Sequence, residues 1–171
     1  MSKIKIKNFG PIKEGVPNNG WVDIQKVTVF IGNQGSGKST VAKLISTFLW
    51  MEKALVRGDY NIEWFQEKNK LRSQFLSYHR IENYLKNNGS KGTFIEFDGT
   101  AYHIIYQDGG LTIKEKPGVT YPLPQIMYVP AERNFIAYVK SPKELKLSSE
   151  PLTEFLTEYD KAKSEIKGIV E

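Results

Sequence analysis

Residues 32–40, GNQGSGKST, satisfy the pattern G-x-x-x-x-G-K-[ST], and their flanks restrict the fold further. Before them runs KVTVFIG, whose valines and isoleucine read as a buried strand. After them STVAKLISTFLWMEKAL sets Val41, Leu44, Ile45, Phe48 and Leu49 at helical spacing, so a helix is expected to start near Lys38. Strand, glycine loop and helix in that order describe an α/β chain whose loop is a candidate anion site.

Each residue type in the loop has a physical reason. Gly35 and Gly37 lack a Cβ, so the backbone can take positive φ and close around a phosphate. The amides from about Gly35 to Thr40 then form a concave nest, backed by the positive end of the helix. Lys38 can reach the β- and γ-phosphates of a nucleotide, Ser39 offers a hydroxyl to Mg²⁺, and Thr40 is placed for an α-phosphate contact. Gly32, Asn33, Gln34 and Ser36 complete the loop. The bland alternative is a glycine-rich turn that binds nothing, but it leaves Lys38 without a structural purpose.

The rest of the chain supplies other elements. KIKIKNF at 3–9 alternates strictly and reads as a half-exposed strand, and WVDI as a short second one. A long helix is expected from about Asp59 to Asn87, with Leu71, Phe75, Tyr78, Ile81 and Leu85 as its stripe. TFIEF, AYHIIY and residues 111–115 read as three strands of a meander over 93–115, joined by DGT and DGG. QIMYV at 125–129 reads as another buried strand. A last helix opens at SSEPL, with Pro151 in its first turn and Leu152, Phe155, Leu156, Tyr159 and Ile166 on one face. An apolar stripe so close to the last residue reads as a fold cut short.

Composition excludes several classes. The chain has 171 residues, 40% of them apolar and 25% charged, as in a globular domain with a sizeable core. It contains no cysteine, hence no disulfide framework and no thiolate ligand or nucleophile. No apolar run approaches the roughly 20 residues that span a bilayer, so no membrane segment and a cytoplasmic location are expected. The net charge of +5 is uneven, with seven Lys against Glu14 and Asp23 in residues 1–50. That suits a phosphate-bearing partner, nucleotide or DNA, as well as it suits a merely solvated surface.

IKIKNFGPIKE followed by VTVFIGNQGSGKST resembles the start of the ABC-like ATPases of the SMC, RecF and OLD (overcoming lysogenization defect) type, many of them grouped as AAA family ATPases. Gln34 stands where that pattern usually has Asn. IMYVPAERNF resembles the strand that ends in the Mg²⁺-contacting Gln of cassette ATPases, with Ala131 and Glu132 in place of the Gln. The resemblance implies a P-loop NTPase core with an antiparallel β-meander and a helical insertion at about 59–87. Residues 1–140 would form the N-terminal part of the ATPase domain and 141–171 the start of a helical lobe or arm. It implies ATP and Mg²⁺ as ligands, Lys38 at the γ-phosphate with Glu132 as a second candidate there, and a homodimer formed on ATP. A surface pair is the other reading of Glu132 and Arg133.

The family's Leu-Ser-x-Gly-Glu signature is missing from the sequence. So is the apolar run followed by Asp and Glu that supplies hydrolytic carboxylates, since TFIEFD is broken by Glu96 and IMYVPAE by Pro130. Hydrolysis is therefore expected to need a missing C-terminal portion. Neither histidine is placed as a switch: His79 reads as a solvated helix residue and His103 as a structural strand residue. Two other functions stay open: a small P-loop kinase, though no arginine-rich lid is visible, and an ATP-dependent DNA-binding or interaction module. A GTPase is set aside, because neither Asp-x-x-Gly after an apolar strand nor Asn-Lys-x-Asp is present.

Overall fold

The computed structural model describes residues 2–16, 18–86, 91–131 and 149–170, with only the backbone described at 167–170. Strict alternation in the sequence becomes a sheet with one wet and one dry face. Strands β1 (Ser2–Lys7), β2 (Trp21–Ile24), β3 (Phe94–Asp98), β4 (Tyr102–Gln107) and β5 (Gly110–Glu115) form one sheet, in the order β2-β1-β3-β4-β5. Every pairing is antiparallel. Register places Ile4, Phe97, Ile104 and Ile113 in one inward row, and Ile6, Ile95, Tyr106 and Leu111 in the next. The alternate positions carry Lys3, Asp98, His103 and Lys114 across the outer face. That two-faced pattern is what a period of 2 requires. β4 and β5 are joined by Asp108 and Gly109, both at positive φ, as a two-residue hairpin demands.

Helix α1 (Lys38–Arg57) supplies the other layer of this core. Its Leu44, Phe48, Met51, Ala54 and Leu55 are buried with the inward rows, and Phe48 stacks on Phe97 with centroids 5.8 Å apart. Gly58 ends it at φ 74, its N–H bonded to the carbonyls of Ala54 and Leu55. The helix also carries a buried carboxylate, Glu52, which is 0% exposed. Its Oε1 accepts the amides of Ala101 at 2.7 Å and Tyr102 at 3.1 Å. Helix α1 is thereby tied to the β3–β4 turn.

Three expected elements differ. The single helix expected over 59–87 is instead a string of short turns. These are α2 (Ile62–Gln66), a π-helical turn (Leu71–Leu76) and a 3₁₀ turn (Glu82–Tyr84). Asn69 and Arg80 sit at φ 63 and 55, a left-handed conformation that an uninterrupted helix cannot contain. Most of the expected stripe is buried all the same. Leu71 and Ile81 lie in the core, Phe75 and Leu85 pack against it, and Trp50 on α1 meets Phe75 at 5.5 Å.

The second difference is KVTVFIG, which forms no strand. Val27, Val29 and Ile31 are 76, 73 and 93% exposed. Their alternation suits a strand, but among the described residues no neighbouring strand pairs with them. QIMYV at 125–129 likewise forms no strand; prolines 122, 124 and 130 flank it and withhold amide donors.

The chain divides into two compact units, Met1–Ile126 and Met127–Glu171. In the second, helix α3 (Glu150–Val170) starts where expected, with Pro151 in its first turn and the Thr153 amide on the Ser149 carbonyl at 3.0 Å. Leu152, Phe155 and Leu156 cluster, whereas Tyr159 and Ile166 of the expected stripe are exposed.

Candidate functional site

The glycine loop leads directly into α1, whose cap residue is Gly37. Gly37 has φ 93 and ψ 8, and a Cβ there would lie 3.0 Å from Ile12 Cγ1 and 3.3 Å from Pro11 Cγ. Glycine is thus required twice, for conformation and for the close approach of the 9–12 turn beneath it. Gly35 has φ 78 and opens on free space, with no atom within 4 Å of where a Cβ would stand.

Lys38 closes the loop on itself. Its Nζ donates to the carbonyls of Gly32 and Asn33, each at 2.7 Å, and approaches Ser36 Oγ at 3.4 Å. An ammonium has three donors, so two short bonds fix its position and the third is only weakly engaged. The first helical hydrogen bond runs from Val41 N to Gly37 O at 2.9 Å. No side chain caps the helix and no acid lies in its first turn, so its positive end is not neutralised locally. Ser39 is exposed, and Thr40 is buried.

These residues fit a polyphosphate: an uncapped 20-residue helix, a held ammonium, and open space over Gly35. The structure brings together Gly32, Asn33, Ser36 and Lys38 through the ammonium, with Gln34 and Gly35 on the exposed rim. Glu132 and Arg133 lie outside the described residues. Among the described residues no cluster of three or more His, Asp or Glu could hold a metal ion by itself.

Asp98, His103 and His79 are each held by partners within the fold. Burial opposes ionisation of Asp98, but its bond to Lys116 and the charges of Lys116, Lys3 and His103 outweigh it and hold its carboxyl below the usual range. His103 pairs with Glu96 at 2.9 Å on the outer face of the sheet. His79 corrects the expectation of a solvated helix residue, for it is 4% exposed. Its Nε2 lies 3.3 Å from Ser46 Oγ, and its carbonyl accepts Lys43 Nζ at 2.9 Å. Burial first, then the Lys43 charge, lowers its pKa to about 4.

The family model of the AAA ATPase domain matches residues 1–170. The chain belongs to that family. A nucleotide-binding, ATPase-type domain with a P-loop NTPase fold is what the match supports, and the five-stranded sheet under α1 is consistent with it. No curated protein and no solved structure matches the chain. Among the described residues of this AAA ATPase domain, no helix is long and apolar enough to cross a membrane.

Sequence reasoning missed the floor of the site. Pro11 and Ile12 lie 25 or more residues before Gly37, and their only signal was the Phe-Gly-Pro turn after β1.

Proposed function

We propose that this AAA ATPase domain binds Mg-ATP through residues 32–40, and that it is the nucleotide-binding part of an ABC-like ATPase of the SMC, RecF and OLD type. The observation that carries the reading is the Lys38 ammonium, held at 2.7 Å on two loop carbonyls at the uncapped start of α1. A charge fixed there before the ligand arrives loses little freedom on meeting a phosphate. The amides of residues 35–40 would cradle the β-phosphate, Lys38 would bridge to the γ-phosphate, and Ser39 would ligate Mg²⁺.

Mg²⁺, held by Ser39, would supply neutralisation of the phosphate charge when bound. Turnover also needs a group that positions the attacking water. Glu132 is this chain's candidate, and the family resemblance assigns the other carboxylates and the signature to a C-terminal portion and a second copy. Exposed Val27, Val29 and Ile31 support an arrangement in which further strands complete the sheet beside the loop. In the same reading the protein dimerises on ATP and acts on DNA, a partner suited to its lysine-rich first 50 residues.

The test is calorimetric titration of Mg-ATP into the protein and its Lys38→Ala variant, with phosphate release followed in the same samples. Binding without release by the parent, weakened on the order of ten-fold or more in the variant, is expected. Equal affinity in both would overturn the reading.

A further inference from the structure

A crevice between the 67–72 segment and the β4–β5 hairpin lies apart from the glycine loop, and none of residues 32–40 lines it. Its floor is apolar: Phe65, Leu71 and Leu111 are buried, and Leu85 packs against the same core. Two of its polar groups have no partner in the fold. We propose that this crevice binds a small monocarboxylate, with the Arg72 guanidinium and the Tyr106 hydroxyl as its donors. The inference stands independently of the Mg-ATP reading.

Tyr106 belongs to an inward row of the sheet and is only 5% exposed. Among the described residues nothing bonds its hydroxyl, yet that hydroxyl is not sealed in the core, so it opens on the crevice that the residue lines. Burial raises its pKa and the charge of Arg72 opposes the rise, which sets the guanidinium near the polar end of the ring. Arg72 itself pairs with no described carboxylate. A guanidinium presents a planar fork of donors that matches the two oxygens of a carboxylate, and the phenol adds one more.

The charge suits a monoanion. Glu67, Lys70 and Arg72 are the charged residues of the described lining, and Glu67 holds Lys70 at 2.7 Å. Lys70 also lies 4.1 Å over the Trp64 ring. One unpaired cation is left, which balances a carboxylate but not a phosphate dianion. The walls are set before a ligand arrives, because Gln66 Nε2 donates to the Leu111 carbonyl at 3.1 Å and ties α2 to β5. Gly109 and Gly110, at the end of the hairpin, have no side chain to close the mouth. The crevice holds about 380 Å³ of empty space, open solvent included, which is room for a carboxylate on a short apolar chain.

Titration of butyrate, neutral butyramide and inorganic phosphate into ¹⁵N-labelled protein, read at the amides of residues 69–72 and 109–111, tests the site. Expected are saturable shifts with butyrate, none that saturate with butyramide, and weaker binding of phosphate than of butyrate at these amides. Arg72→Gln should weaken butyrate about ten-fold or more, and Tyr106→Phe about three-fold. Arg72 is exposed and phenylalanine keeps the buried ring, so both variants should retain the fold, which the rest of the spectrum verifies. Butyramide binding as tightly as butyrate, or butyrate affinity unchanged in Arg72→Gln, overturns the site. Unchanged affinity in Tyr106→Phe removes the hydroxyl from it, and phosphate binding more tightly than butyrate overturns the monocarboxylate assignment.

Discussion

Glu52 Oε1 accepts the backbone N–H of Ala101 at 2.7 Å, joining the C-terminal half of α1 to the β3–β4 turn inside the core. Burial raises the pKa of this carboxyl, against the opposing pull of the Ala101 and Tyr102 amides and of Lys116. A carboxyl whose folded pKa is raised favours the fold at low pH and loses that contribution as pH rises above the unfolded value near 4.5. Glu52→Gln keeps the acceptor and removes the titration. Its unfolding free energy should match the parent's near pH 4 and exceed it at pH 8. Glu52→Ala, which strands two amides, should lose on the order of 2 kcal/mol by urea unfolding.

His79 works in the opposite direction. Its folded pKa of about 4 lies below the ordinary value of 6.5, so the unfolded chain takes up the proton first. Stability from this group is complete above about pH 6.5 and drains away as pH falls toward 4, by on the order of 3 kcal/mol in all. Unfolding curves from pH 7 to pH 4.5 should show the loss, and His79→Gln should flatten it. A parallel slope in the variant would assign the acid sensitivity to other groups.

Gly37→Ala should damage the site more than the fold. The added Cβ meets Ile12 at 3.0 Å and holds a non-glycine residue at φ 93. The conformational strain is on the order of 1–3 kcal/mol. ATP affinity is expected to fall steeply while the far-ultraviolet circular dichroism of the sheet and helices stays unchanged.

Phe48→Ala tests how α1 is seated. The ring is wholly buried and stacked on Phe97, so truncation should cost about 3–5 kcal/mol in urea unfolding. A loss below about 1 kcal/mol would mean that the helix does not bear on the sheet through this contact.

The elements legible in the sequence were those whose signal is local. Lys-Ile alternation announced β1, Asp108-Gly109 announced the β4–β5 hairpin, and the apolar spacing after Lys38 announced α1. What escaped depended on partners far along the chain. Val27, Val29 and Ile31 have the composition of a buried strand, but composition does not say which strand lies alongside. The stripe from Leu71 to Leu85 has helical spacing, but periodicity does not register a left-handed turn at Asn69 or Arg80. His79 looked polar and is buried because α1 presents Ser46 and Lys43 to it. In the candidate site the glycine loop was legible by motif, whereas the Pro11–Ile12 floor became visible only through contacts.

The hydrogen bond from Thr93 to Asn8 joins residues 85 positions apart. A chain made from its N-terminus therefore displays the whole motif of residues 32–40 long before the turn beneath Gly37 can be locked. Until residue 93 has emerged and docked, a nascent chain can close the 9–12 turn on its own hydrogen bonds but lacks the tie that anchors it to the sheet. Anchoring of the floor is thus a late event in folding, gated by closure of a long loop.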